Sequence, residues 1–125
     1  MNNYPVGDFL IRIKNANLAG KKTVIVPQNK FVISVAKSLV KEGYLRDIKV
    51  SHDSLSVNLS YQKKEPVITD IKLVSKPGLR VYAKYEELEK IKKPTVLIVS
   101  TPAGVMSSRE ALKKKLGGEI IVEIL

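Results

Sequence analysis

Near the start of the chain, apolar residues recur at helical spacing. Val6, Phe9, Leu10, Ile13 and Ala16 follow Pro5 and leave Arg12, Lys14 and Asn15 on other faces. A helix opening at Pro5 is expected. The β-branched run Thr23-Val24-Ile25-Val26 stops at Pro27 and predicts a short strand. Asn29 is placed to cap a second helix, in which Val32, Val35, Ala36, Leu39 and Val40 form an i, i+3, i+4, i+7, i+8 stripe. Gly43 ends it. Residues 44–50 and the cleanly alternating 55–61 predict two strands around the polar turn 51–54, each with one buried and one polar face.

Residues 62–66, Gln-Lys-Lys-Glu-Pro, read as the junction between two halves, 1–64 and 65–125. Beyond it the pattern is mostly strand. Residues 67–74 run into Ser75-Lys76-Pro77-Gly78, where Pro followed by Gly suits a type II turn, and 79–83 return. A short acidic helix fits 85–90, and a buried β-branched strand fits 95–100. Thr101-Pro102-Ala103-Gly104-Val105-Met106 reads as a loop without charge. Ser107 and Glu110 have capping-box spacing and predict a short helix closed by Gly117-Gly118. Residues 120–125 form a last apolar strand. No repeat or low-complexity tract is present, and the class is α+β.

Charge adds what periodicity does not. The 125 residues are 44% apolar and 27% charged, ordinary for a globular chain, but 22 Lys and Arg face 12 Asp and Glu, a net charge of +10. The excess is uneven, +7 over residues 1–64 and +3 over 65–125. It points to a polyanionic partner, nucleic acid before an acidic membrane surface. The bland alternative is a solubility charge, which for a small domain is usually about 2–8 in magnitude. No cysteine is present, which fits a reducing compartment. The residues Met1-Asn2-Asn3-Tyr4-Pro5 do not resemble a signal peptide, and no apolar run is long enough to span a bilayer, so the reading is cytoplasmic.

Catalysis fails by elimination. The single histidine, His52, lies between Ser51 and Asp53 in a turn, where three adjacent side chains cannot converge as a triad. One His and no Cys leave only carboxylates for a metal. Glu86, Glu87 and Glu89, beside Lys84, Lys90, Lys92 and Lys93, read as a solvated, charge-paired face. Neither phosphate-cradling glycine motif occurs. No enzyme, cofactor or small-molecule substrate is expected.

The uncharged loop has positive content. Phosphate neutralisation supplies RNA affinity without sequence preference. Choice among RNAs needs small polar groups and aromatics that approach sugars and unstacked bases. Residues 100–106 offer two hydroxyls at a strand end, a glycine for close approach and a following helix N-terminus. Equally, this is a connection whose Ser107 merely caps its helix. Spacing alone does not choose.

At this loop the sequence resembles the small-subunit ribosomal protein S8 family. The resemblance rests on Ser100-Thr101 with Gly104-Val105-Met106, then Arg109-Glu110-Ala111 and Gly117-Gly118-Glu119. Ser75-Lys76-Pro77-Gly78-Leu79-Arg80-Val81-Tyr82 is similar to a second signature of that family. Asp8, Arg12, Asn15 and Ala16 match a third, and Val26-Pro27 with Lys30 a fourth. It covers essentially the whole chain in order.

The resemblance implies an N-terminal α-β-α-β-β unit packed against a C-terminal, mostly antiparallel β unit with short helices. It implies direct binding to the central domain of small-subunit ribosomal RNA early in assembly, with neighbouring small-subunit proteins as partners. RNA-contact roles carry over to Ser100, Thr101, Gly104 and Val105, to Tyr82 as a stacking or sugar contact, and to Lys76 and Arg80 beside it. Arg12, Asn15 and Lys30 carry over as contacts of the N-terminal half. The chain departs from the family pattern at Pro102 and Ala103, where a third hydroxyl and an often basic residue are usual, and at its end, Val122-Glu123-Ile124-Leu125, which lacks the usual aromatics. Two rival classes remain: a generic nucleic-acid binder held by charge alone, and a protein that docks an acidic protein partner. Competition with random RNA separates the first, and copurification after nuclease treatment the second.

Overall fold

A computed structural model describes residues 4–91 and 95–125. Met1-Asn2-Asn3, Lys92 and Lys93, which enter the reading above, lie outside the described residues. The protein is α+β and divides into two compact units, residues 1–69 and 70–125.

In the first unit, helix α1 (Pro5–Leu18) starts at its proline and buries Phe9, Leu10 and Ile13. Strand β1 (Thr23–Pro27) precedes helix α2 (Lys30–Lys41). The Asn29 side chain accepts hydrogen bonds from the Phe31 and Val32 N–H groups, at 2.9 and 3.1 Å, and so satisfies two donors at the start of α2. Val32, Val35 and Leu39 are buried on the stripe. Strands β2 (Leu45–Val50) and β3 (Ser54–Leu59) follow, and the antiparallel sheet has the order β1-β3-β2. Along β3 the side chains Leu55, Val57 and Leu59 are buried in strict alternation.

Residues 62–66, expected as a junction, lie in a small hairpin of this first unit, β4 (Tyr61–Gln62) with β5 (Glu65–Pro66), and the division falls after Thr69. The expected strand over 67–74 is shorter. The Val67 N–H bonds the Ser60 carbonyl in the first unit, while Asp70 exchanges both backbone bonds with Leu125 in the second. The apolar run is therefore shared between units, and only β6 (Ile71–Leu73) is strand.

The second unit is built on β10 (Gly118–Ile124) and β8 (Val96–Thr101), with sheet order β6-β10-β8-β9, where β9 is Gly104–Ser107. The turn at 75–78 does not fold β6 back onto residues 79–83, as the sequence suggested. Strand β7 (Tyr82–Ala83) pairs with β10 too, further along the same strand. Residues 75–80 are an excursion from one interrupted edge. The buried Ser75 hydroxyl closes its neck by accepting from the Val81 N–H at 3.0 Å. At its tip Lys76 and Leu79 exchange both backbone bonds, and Gly78 takes a φ of +83°. That left-handed conformation is why a glycine stands there.

Helices α3 (Tyr85–Leu88) and α4 (Ser108–Lys113) complete the unit. Leu88, Leu97, Val99, Met106, Ala111 and Ile120 form a buried cluster joining both helices to the sheet.

Candidate nucleic-acid interface

The uncharged segment after β8 is not an open loop. Thr101 pairs with Gly104, so β8 and β9 form a hairpin whose two-residue turn is Pro102-Ala103. Thr101 is only 8% exposed. Its hydroxyl donates to the Gly104 carbonyl at 2.8 Å and accepts from the Ala103 N–H at 3.2 Å, so it fixes the turn from within. Gly104 takes a φ of +122°, a conformation that side chains rarely adopt. Ser107 caps α4 by accepting from the Glu110 N–H at 3.2 Å, as its spacing predicted. That bond takes up one of the N–H groups at the α4 N-terminus.

Ser100, half-buried, opens onto a groove of about 610 Å³ beside the hairpin. Pro102, Tyr82, Ala83, Lys84 and Tyr85 line it too. Gly117 and Gly118 lie along it. A Cβ on Gly117 would meet the Ala83 carbonyl oxygen at 2.5 Å, and one on Gly118 would run into the Ser100 carbonyl still more closely. Backbone therefore packs on backbone here, and the pair does not stop α4, which ends at Lys113 with Lys115 in the left-handed region at φ +56°.

Tyr82 is 68% exposed and presents an aromatic ring at this groove. Partial burial, then the Glu89 and Glu86 carboxylates, raise the Tyr85 phenol above its ordinary value. Glu119 also lines the groove and pairs with Arg80 at 3.3 Å. Paired with Arg80, the Glu119 carboxylate still accepts hydrogen bonds from hydroxyl and amino groups. With an exposed ring and a serine hydroxyl beside it, the groove suits a sugar or an unstacked base, and Lys84 in its lining suits an adjoining phosphate.

The structure thus brings Ser100 and Tyr82 to one groove, with Thr101 and Gly104 shaping its hairpin and Val105 half-buried on β9. Arg80 reaches the groove rim through Glu119, whereas Lys76 stands exposed on the 75–80 excursion and is not part of the lining. Sequence reasoning missed Lys84 and Glu119 as lining residues and gave Gly117 and Gly118 the wrong task. Only the pairing of β10 with β7 on one side and β8 on the other reveals the latter.

In the first unit, Arg12 and Asn15 share a smaller pocket of about 350 Å³ with Lys21 and the β1 edge. Arg12 is tied down there, to Asp8 at 3.0 Å and to the Ile25 carbonyl at 3.3 Å. Lys30 is exposed at the start of α2 and is not among that pocket's lining residues. Among the described residues, no cluster of His, Cys, Asp and Glu could hold a metal, and no helix is long and apolar enough to cross a membrane.

Curated chains similar to this one are bacterial proteins of the small ribosomal subunit. A protein named small ribosomal subunit protein uS8 from Hydrogenovibrio crunogenus is 45% identical over 125 residues, covering 96% of this chain and 95% of its own length. Those of the same name from Pelagibacter ubique (42% identical, 96% and 95% covered) and Caldanaerobacter subterraneus subsp. tengcongensis (43%, 94% and 93%) agree with it. The sequence model described as ribosomal protein S8 matches residues 4–125. The chain belongs to the ribosomal protein S8 family, whose members are structural ribosomal proteins and not enzymes.

Proposed function

We propose that the protein binds the central domain of small-subunit ribosomal RNA directly and supports its assembly, in the cytoplasm and beside neighbouring small-subunit proteins. The groove carries this reading: an exposed Tyr82 ring and the Ser100 hydroxyl meet beside a hairpin that Thr101 holds rigid. Such a corner reads sugars, 2′-hydroxyls and splayed bases, the features that distinguish one folded RNA from another. The net charge of +10 supplies the grip that any RNA would feel. Division of labour follows the two halves of the chain. The C-terminal part carries the main RNA-reading hairpin, and Arg12, Asn15 and Lys30 add contacts from the N-terminal part.

Competition binding at physiological salt tests the reading. Excess random-sequence duplex should fail to displace a transcript of the ribosomal central domain. Equal displacement by both RNAs would reduce the protein to a charge-driven binder.

A further inference from the structure

The β4–β5 hairpin carries a feature that folding alone does not account for. Gln62 pairs with Glu65, so the turn between them is two residues long, and both take left-handed conformations, Lys63 at φ +53° and Lys64 at φ +69°. This is the geometry of a type I′ turn, which strongly favours Asn-Gly because a Cβ is strained at positive φ. Here two lysines occupy it. Both are exposed, and neither ammonium has an ion-pair or hydrogen-bond partner among the described residues.

The hairpin's footing adds a second observation. The Tyr61 hydroxyl donates to the Lys21 carbonyl at 2.6 Å, and the Leu59 N–H bonds the Lys22 carbonyl at 2.9 Å. The base of the hairpin is therefore fastened to the α1–β1 connection, where Lys21 and Lys22 are both exposed. The hairpin and the connection that anchors its base carry four lysines between them, with Glu65 the one acid in the hairpin sequence. Backbone strain kept at an exposed cationic tip is the pattern expected where the side chains serve a ligand.

We infer that this hairpin is a phosphate-gripping tongue. Lys63 and Lys64 at its tip, with Lys21 and Lys22 at its foot, take phosphates of an RNA backbone. The inference rests on the RNA-binding reading and adds to it a contact made by residues of the first unit, none of which lines the Ser100 groove. It is a grip on charge and not on sequence, because ammonium groups on flexible stems neutralise phosphates without reading bases.

The test uses the intact protein and the ribosomal central-domain transcript, with binding followed across a range of salt concentrations. Lys63→Asn with Lys64→Gly installs the favoured turn while removing both charges. Its urea midpoint should rise, and its plot of log K against log salt should be shallower by about 1.4–1.8, the contribution of two phosphate contacts. Lys63→Arg with Lys64→Arg should keep the wild-type slope. An unchanged slope in the Asn-Gly variant would overturn the tongue. Loss of wild-type preference for the central-domain transcript over random duplex would instead refute the reading beneath it, and the two failures are distinguishable.

Discussion

Gly118 packs its α-carbon against the carbonyl of Ser100, so closely that no side chain fits between β10 and β8 at this point. The strand that carries the Ser100 hydroxyl is thereby held at a fixed distance from its neighbour. Gly118→Ala forces the two strands apart and should cost about 1–3 kcal/mol of stability, the usual range for overpacking a close contact. Urea denaturation measures this, and an unchanged midpoint would mean the strands separate freely.

Ser100 and Thr101 are adjacent hydroxyls in different settings, the first lining the groove and the second bonded within the hairpin turn. Thr101→Val removes the bonds to the Gly104 carbonyl and the Ala103 N–H and should destabilise the protein by about 1–3 kcal/mol, since both partners lose a bond near the interior. Ser100→Ala should leave stability within about 0.5 kcal/mol and instead weaken central-domain RNA binding by about 1 kcal/mol. Paired denaturation and binding measurements on the two variants separate a residue that shapes the hairpin from one that meets the RNA.

Tyr82 offers a ring to solvent and little to the core. Replacement by Ala should reduce binding by about 1–3 kcal/mol if one base stacks there, whereas Tyr82→Phe should retain most of the affinity. Neither change should move the denaturation midpoint appreciably.

Much of the first unit was legible because its elements are amphipathic and locally punctuated. Pro5, Asn29 and Gly43 mark helix ends, and the stripe from Val32 to Leu39 and the alternation from Leu55 to Leu59 name their buried faces. The second unit was less legible because its short strands take meaning only from pairing. Nothing local tells that β7 continues along β10 instead of folding back on β6, or that Ser75 closes the neck of that excursion. The site shows the same division. Ser100, Gly104 and Tyr82 could be singled out from residue chemistry and family resemblance. The inward-facing Thr101 hydroxyl and the packing of Gly117 and Gly118 depend on a hairpin turn and a strand register that composition does not encode.

The cap of α2 gives a check on the fold independent of RNA. Asn29→Ala leaves the Phe31 and Val32 N–H groups without their side-chain acceptor and should cost about 1 kcal/mol. Asn29→Ser or Asn29→Asp should recover most of the loss in the same denaturation assay.

Equilibrium binding of the Ser100→Ala, Tyr82→Ala double variant bears most directly on the role of the groove. Measured against the ribosomal central-domain transcript and a random duplex at one physiological salt concentration, the variant should lose about 2 kcal/mol or more on the first, roughly 30-fold, and almost nothing on the second. Equal losses on both RNAs, or none on either, would mean that the choice of RNA is made elsewhere on the molecule.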